Sequence, residues 1–263
     1  MDRNIRKRRR RGTSRFRMAA AMAIVVLLLV FGGRAADRGA AVLRTIRLLS
    51  WQETGDASGS LDHSRRVLAG LPVYSGEPCV VLDGNVPSFT RQQLSEKPYA
   101  VYRDLDALGR CTGAEAMLDA SMMPTEPRGE IGDIRPSGWH TVKYDCIEDL
   151  FLYNRCHLIG YQFTGENANE RNLITGTRYM NKDGMLPWEN LVAGYLRRTG
   201  DRVLYRVTPI FDGADLVARG VEMEAASVMS EEICFHVFVY NVQPGIEIDY
   251  GSGESRLEDA SGR

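Results

Sequence analysis

Several sequence patterns that point to a particular function are missing from this 263-residue chain. It has no CxxC spacing, which argues against a structural zinc site, and no GxSxG, which removes the usual context of a serine nucleophile. No internal repeat is visible. Histidine is scarce, with four residues in the whole chain. Any chemistry that needs an imidazole therefore has few candidates.

The formal net charge of -1 hides a strong asymmetry between the two ends of the chain. Nine basic residues and no acid lie between Arg3 and Arg17. From residue 35 to residue 263, in contrast, 33 acidic residues outnumber 23 basic ones. Because tight nonspecific binding to a phosphate backbone needs clustered Lys and Arg, this larger part does not read as a pure nucleic-acid-binding module. An enzyme with a local basic groove is still compatible with the charge balance.

One long apolar run, residues 18–33, follows the basic N-terminus. Its 16 residues carry no charge, and as a helix they would span roughly 24 Å. They are predicted to form a transmembrane anchor or the apolar region of a signal peptide, and the long basic flank favours the anchor. Both interpretations place residues 1–17 in the cytoplasm and the remainder outside the membrane, and cleavage after the run would secrete the protein. Nucleic-acid binding by the basic flank is a weaker alternative.

The rest of the chain is predicted to hold one domain. Residues 34–70 mix small and charged side chains and are predicted to form a stalk or linker, residues 71–250 a globular domain, and residues 251–263 a disordered polar tail. Apolar side chains every three to four residues predict a helix over 179–198, ended by Gly200. β-branched or alternating stretches predict strands near 80 and over 139–145, 151–161, 202–211, 216–225 and 233–242. This order indicates an α+β domain built on a mixed sheet.

Three of the four histidines have plainer interpretations than catalysis. His63 falls in the predicted stalk, where a solvated surface position is expected. His236 alternates with Cys234 and Phe238 along a predicted strand, which favours a packed or surface position over a ligand. His140 stands at a predicted strand start and is compatible with either interpretation. His157 is thus the histidine whose surroundings matter most.

His157 is followed by an unusual number of amide side chains. Neutral amide oxygens are hard ligands suited to Mg²⁺, and a histidine near such an ion could act as general base on a water. The plainer alternative is that the asparagines build turns and helix caps, and spacing alone slightly favours it. A cysteine nucleophile at Cys156 is disfavoured, because neighbours on a strand point to opposite faces. The polar residues in question are Asn167, Asn169, Asn172, Asn181 and Glu189.

The runs YNRCHLIGY, ENANERNLITGTRYMN and MLPWEN resemble the DNA/RNA non-specific endonuclease family, the ββα-metal nucleases, and most closely its Gram-positive DNA-entry branch. The family signature is Asp-Arg-Gly-His, an Asn about fifteen residues on, a second Asn nine later and a Glu eight beyond. This chain has Asn154-Arg155-Cys156-His157, then Asn172, Asn181 and Glu189, without a gap in the spacing. The resemblance covers about residues 71–250. It implies a ββα-metal core on a mainly antiparallel sheet.

The resemblance also implies a role for each matching residue. His157 would be the general base, Asn181 the direct protein ligand of a single Mg²⁺, with Mn²⁺ as an acceptable substitute, and Glu189 would hold one of the metal's waters. Asn172 would position the site and Arg155 would help to order it. Two further arginines, Arg128 and Arg135, are candidates for contacting the scissile phosphate. The implied activity is endonucleolytic hydrolysis of DNA, with RNA as an open second substrate.

Two residues of the signature depart from the family pattern. Asn154 replaces Asp, which removes a negative charge beside the metal, and Cys156 replaces Gly. Five cysteines in an exported chain can form disulfides, with at least one left over, and Cys146 is one candidate partner for Cys156. If the departures silence the site, the alternative function is a non-catalytic surface module that binds nucleic acid or a protein. The sequence leaves the oligomeric state open.

Overall fold

The computed structural model describes residues 57–258, with side chains from residue 61 onward. The predicted basic segment, the apolar run 18–33 and most of the predicted stalk lie outside these residues. Within residues 57–258, no helix is both long and apolar enough to cross a membrane.

Ten strands and four α-helices make up the described part of the chain. The helices are α1 (Ala57–Gly70), α2 (Arg91–Leu94), α3 (Tyr161–Thr164) and α4 (Leu186–Thr199). The first five strands are β1 (Cys79–Val81), β2 (Tyr99–Tyr102), β3 (Ala114–Leu118), β4 (Tyr153–His157) and β5 (Leu173–Thr177). The other five are β6 (Val203–Ile210), β7 (Gly220–Ser227), β8 (Cys234–Tyr240), β9 (Ile246–Ile248) and β10 (Ser255–Leu257).

A six-stranded sheet in the order β1-β8-β7-β6-β3-β2 is the main scaffold, and each neighbouring pair is antiparallel. Strand side chains alternate between two faces. The inner face carries apolar residues such as Tyr205, Met223 and Val237, which join the main core together with Ile174 of β5 and Val192 of α4. The inner face is therefore the surface on which β4, β5 and α4 pack.

The outer face of the sheet carries charge instead. Glu115, Arg206, Glu224 and His236 lie in register across β3, β6, β7 and β8, and they are buried or nearly so. We call these four residues the outer-face row. Helix α1 contacts β6 on this side. Its apolar positions pack against a small cluster that includes Phe238 and Tyr240.

The predicted ββα unit is present as the antiparallel hairpin β4–β5 followed by α4. A π-helical turn, Met180–Met185, precedes α4, so the helix predicted over 179–198 is confirmed with a wider first turn. Gly200 ends it in the left-handed region (φ 67°) and donates its N–H to the Leu196 carbonyl. A glycine adopts this conformation at little cost, which makes it the usual residue after a helix.

Three of the sequence predictions are contradicted by the structure. Residues 139–145 form no strand beyond a single bridge between Lys143 and Phe151. Val142 and Tyr144 do alternate with exposed residues, but they pack against a small separate cluster, which Trp139 also contacts. Helix α1 lies within the predicted stalk, and β10 lies within the predicted disordered tail, paired with β9. The ordered domain therefore extends beyond residues 71–250 at both ends.

Candidate active site

A cleft of about 640 Å³ opens beside β4 and the start of α4. Five of the seven predicted site residues line it, namely Arg128, Arg155, His157, Asn181 and Glu189, and so does Asn154. Asn172 and Arg135 are not among the lining residues. Most of the candidate site predicted from the sequence is thus brought together in one place.

His157 stands at the end of β4, nine-tenths buried. Its Nε2 lies 2.8 Å from the main-chain carbonyl oxygen of Asn167. Because a carbonyl oxygen can only accept, Nε2 carries the hydrogen and Nδ1 is left as the nitrogen that can take a proton. Burial lowers the pKa of His157 to about 4, the Asn167 carbonyl opposes this shift, and the positive charge of Arg128 adds to it. The imidazole is therefore neutral at physiological pH.

Asn172 supports this histidine from inside the protein. It is fully buried, its Oδ1 accepts from the Ile159 N–H at 2.8 Å, and its Nδ2 donates to the Ile159 carbonyl at 3.0 Å. Its own carbonyl accepts from the Leu158 N–H at 2.8 Å. These bonds hold the two residues that follow His157, so Asn172 braces the cleft wall without lining the cleft.

The three arginines occupy different positions. Arg155 donates from Nε to the Ile134 carbonyl and from Nη2 to the Gly132 carbonyl, the latter at 2.7 Å, and its guanidinium lies 4.0 Å from the centre of the Trp139 ring. It therefore ties the preceding loop to the cleft wall. Arg128 is exposed in the cleft, where its charge is felt by His157. Arg135 is exposed outside the lining.

Asn181 and Glu189 face the cleft from the π-helical turn and from the first turns of α4. Burial raises the pKa of Glu189 to about 7, while a hydrogen bond from Gln162 and the charge of Arg128 act in the opposite direction. A β-carbon placed on Gly160 would lie 3.1 Å from Glu189 Oε1. The carboxylate is thus held against a glycine backbone.

Several functional neighbours were not found from the sequence. The Asn167 carbonyl that fixes the His157 tautomer is a main-chain group, so side-chain identity carries no signal for it. Asn169 does build a turn, as expected, since its side chain accepts from the Arg171 N–H at 3.0 Å. The aromatic residues Trp139 and Tyr161 also line the cleft.

Comparison with known proteins identifies the family of this chain. The family model described as DNA/RNA non-specific endonuclease matches residues 88–228, more than half of the chain. This chain belongs to that family. It is therefore a hydrolase of phosphodiester bonds, and the predicted family membership is confirmed.

Solved structures of nucleases share the fold. NucA from Streptococcus agalactiae, solved with a magnesium ion bound, is 25% identical, with a TM-score of 0.64 over 77% of this chain and 97% of that one. The same nuclease with no metal bound is 26% identical, with a TM-score of 0.64 over 77% and 98% of the two chains. Sda1 nuclease with a bound zinc ion is 25% identical, with a TM-score of 0.52 over 61% and 81%.

The two departures of this endonuclease from the family signature are readily located. Cys156 is fully buried in the main core, and burial raises the pKa of its thiol well above the usual range. It faces Gly176 of β5, where an added β-carbon would lie 2.5 Å from its Sγ. Both Cys156 and Cys146 are free thiols, so the suggested disulfide between them is wrong. A cysteine nucleophile is equally disfavoured, since this thiol stays protonated inside the core.

Asn154 lines the cleft, and its Nδ2 is buried without a hydrogen-bond partner in the described part of the chain. A family Asp at this position would place a negative charge in the cleft instead. The amide supplies one neutral oxygen and leaves a polar group for a bound ligand to satisfy.

Proposed function

We propose that this endonuclease cleaves DNA by a one-metal, Mg²⁺-dependent mechanism in which His157 is the general base. RNA is a second substrate to be tested. The observation that carries the proposal is the hydrogen bond from His157 Nε2 to the Asn167 carbonyl, because it leaves Nδ1 free to accept a proton. Burial keeps this histidine neutral, which is the protonation state that a base requires.

The residues of the cleft fit a hard divalent cation. Asn181 offers an amide oxygen and Glu189 a carboxylate, the ligand types that Mg²⁺ prefers. A carboxylate whose pKa is raised by burial is stabilised in its charged form by a nearby cation. We assign Asn181 as the direct ligand and Glu189 as the residue that holds a metal-bound water. When bound, the ion would stabilise the negative charge that develops on a nonbridging oxygen and on the leaving 3′-oxygen.

The side chains of the cleft perform the remaining steps. We assign Arg128 to the scissile phosphate, because it is exposed in the cleft and its charge reaches His157. Arg135 ranks below it, since it is exposed outside the lining. His157 Nδ1 takes a proton from the water whose oxygen attacks phosphorus. The bond from phosphorus to the 3′-oxygen breaks and its electron pair stays on that oxygen, which takes a proton from solvent water, so the products are a 3′-hydroxyl and a 5′-phosphate end. Contacts limited to phosphate would explain a lack of sequence preference.

Arg155 and Asn172 are positioning residues in this scheme. Arg155 donates hydrogen bonds to the Ile134 and Gly132 carbonyls. Asn172 fixes the backbone after His157. The departures at Asn154 and Cys156 leave the residue types of the proposed base and the proposed ligand unchanged. This favours cleavage over a non-catalytic binding module.

Plasmid cleavage by the full-length protein, purified in mild detergent, tests the proposal. Activity should require Mg²⁺ and stop on addition of EDTA. His157→Ala should lower the rate by about 10²–10⁴-fold, the usual contribution of a general base. The matched control is His140→Ala, an exposed histidine outside the cleft lining. Equal rates for the two variants would refute His157 as the base. Retention of plasmid on a filter without cleavage would refute the activity itself.

The proposed location outside the membrane rests on residues 1–33 of the sequence. An anchored protein places Mg²⁺-dependent in-gel nuclease activity in the membrane fraction, and a cleaved one places it in the culture supernatant. Activity confined to the cytoplasmic fraction would contradict export.

A further inference from the structure

A second cluster of ionisable side chains lies on the outer face of the sheet, away from the nuclease cleft. His63 Nε2 of α1 lies 2.5 Å from Glu222 Oε2 of β7, and His236 Nε2 of β8 lies 2.6 Å from Glu222 Oε1. Glu222 and His236 are buried, and His63 is partly exposed. Three separate elements thus direct two imidazoles onto one carboxylate.

The orientation of His236 is set from its far side. Its Nδ1 lies 3.2 Å from the Val86 carbonyl oxygen, so Nδ1 carries the hydrogen and the other nitrogen of the neutral ring presents a lone pair to Glu222. A lone pair facing a carboxylate at this distance requires a positive species, a proton or a metal ion, to be held there. Donation of the remote ring N–H to a carbonyl is also the arrangement that orients metal-ligating histidines.

The neighbouring carboxylates have other partners, so Glu222 interacts with the two histidines. Arg206 pairs with Glu115 at 2.9 Å and with Glu224 at 3.1 Å, so one guanidinium serves two buried carboxylates of the outer-face row. The Ser88 N–H donates to the other oxygen of Glu224 at 2.7 Å. Asp83 on the neighbouring turn adds a further carboxylate 3.6 Å from His236 Nδ1. Four carboxylates thus stand near the cluster against the two guanidinium groups of Arg206 and Arg103, and this excess of negative charge favours a cation.

We propose that His63, Glu222 and His236 bind one divalent transition-metal ion of the zinc type, distinct from the metal of the nuclease cleft. Two imidazole nitrogens with one carboxylate form a donor set that suits zinc and its neighbours rather than Mg²⁺. Glu224 is close enough to assist, because ligand atoms of Glu222, Glu224 and His236 all lie within 4.8 Å of one another. Zinc ligands stand at about 2.0–2.2 Å from the ion, so binding would open both hydrogen bonds to Glu222 and turn the two imidazoles towards one ion.

Such an ion would fasten α1 to the sheet. His63 and Glu222 are 159 residues apart in the sequence, and a metal that joins them binds the folded chain in preference to the unfolded one. The same separation explains why no metal motif of closely spaced ligands marks this site in the sequence.

Zinc binding can be measured on the full-length protein in detergent, with His157→Ala and Asn181→Ala introduced so that the cleft loses its own donors. Equilibrium dialysis against zinc followed by metal analysis should give one more zinc per chain than in the same protein carrying His63→Gln. Glutamine can still donate a hydrogen bond to Glu222 but lacks the imidazole. His140→Gln is the matched control and should retain the zinc. Zinc should also raise the melting temperature of the parent and the control, and not that of His63→Gln.

X-ray absorption at the zinc edge needs no substitution in the cluster. With His157 removed, two imidazole ligands on the bound zinc support the site, and fewer than two overturn it. Equal zinc content with and without His63→Gln, or no zinc bound by the parent, also overturns it. Glu222 would then hold a proton on His236 in place of a metal.

Discussion

The nuclease cleft and the outer face of the sheet each contain a buried histidine held by a main-chain carbonyl, and the two have opposite chemistry. His157 bonds to the Asn167 carbonyl and His236 to the Val86 carbonyl. Burial disfavours the charged form of both rings. In the cleft Arg128 adds to that effect, and the pKa of His157 falls to about 4. On the outer face the hydrogen bond and charge of Glu222, with the charge of Glu224, outweigh burial and raise the pKa of His236.

The difference shows that neighbouring charge, and not burial, decides what a buried histidine does here. A neutral imidazole beside an arginine is suited to taking a proton from water near a phosphate. An imidazole beside carboxylates is suited to holding a cation, and so contributes to stability rather than turnover. Each of the following predictions alters one side of this contrast.

The largest effect is expected from removing the carboxylate of the outer face. Glu222→Gln, measured in EDTA at pH 6, leaves His236 and His63 without the carboxylate that both rings contact. Loss of one partner of a buried pair costs about 3–5 kcal/mol, and the lower end applies because His63 is partly exposed. Urea denaturation measures the free energy of unfolding. The control Glu247→Gln removes an exposed partner of Arg256 and should cost at most about 1 kcal/mol. Similar losses of unfolding free energy for both variants would mean that Glu222 and His236 do not form a buried charge pair.

In the cleft, Asn181→Ala should impair metal binding while leaving the fold intact. Loss of a direct ligand should raise the Mg²⁺ concentration for half-maximal cleavage by about 100-fold, the upper end of what removal of an indirect partner causes. Asn169→Ala removes an asparagine that caps a turn outside the cleft lining, and it should leave the magnesium titration unchanged. Coincident titrations for the two variants would remove Asn181 as the ligand.

Gly160 offers a smaller and more local change in the same cleft. Its φ is −56°, so alanine is compatible with the backbone, but the new β-carbon would lie 3.1 Å from Glu189 Oε1. Displacing Glu189 should raise the magnesium requirement by about 10-fold, as for other indirect partners of a metal. Gly194→Ala on the same helix as Glu189 meets nothing within 4 Å and should not alter the requirement. An unaffected Gly160→Ala enzyme would exclude Glu189 from holding the metal's water.

The sequence predicted the cleft far better than the outer face, and the reason is distance along the chain. His157, Asn172, Asn181 and Glu189 lie within one short segment, so their spacing reflects the hairpin and helix that carry them. His63 and Glu222 meet only because α1 packs over the sheet. Local patterns contain no information about such a contact, so they predict a solvated surface position for His63, which the structure contradicts.

Secondary structure was predictable where burial and pairing coincide. The three last predicted strands are present as β6, β7 and β8, each with a well-buried apolar face. Residues 139–145 alternate in the same manner, but their apolar side chains pack on a small cluster without a neighbouring strand. Alternation reports which side chains are buried, and hydrogen-bonding partners depend on the rest of the fold.

Proton titration of the two histidine rings tests the contrast most directly, although it changes no residue. In protein kept free of metal by EDTA, NMR should show the ring of His157 titrating near pH 4 and that of His236 above the ordinary value of about 6.5. Their contributions to stability then run in opposite directions. As pH falls below about 6.5 the unfolded chain protonates before His157 does, so this residue destabilises the fold progressively towards pH 4. The contribution of His236 is fully present below about 6.5 and is lost as pH rises through its raised pKa. Identical titration curves for the two rings would show that neighbouring charge does not separate the cleft from the outer face.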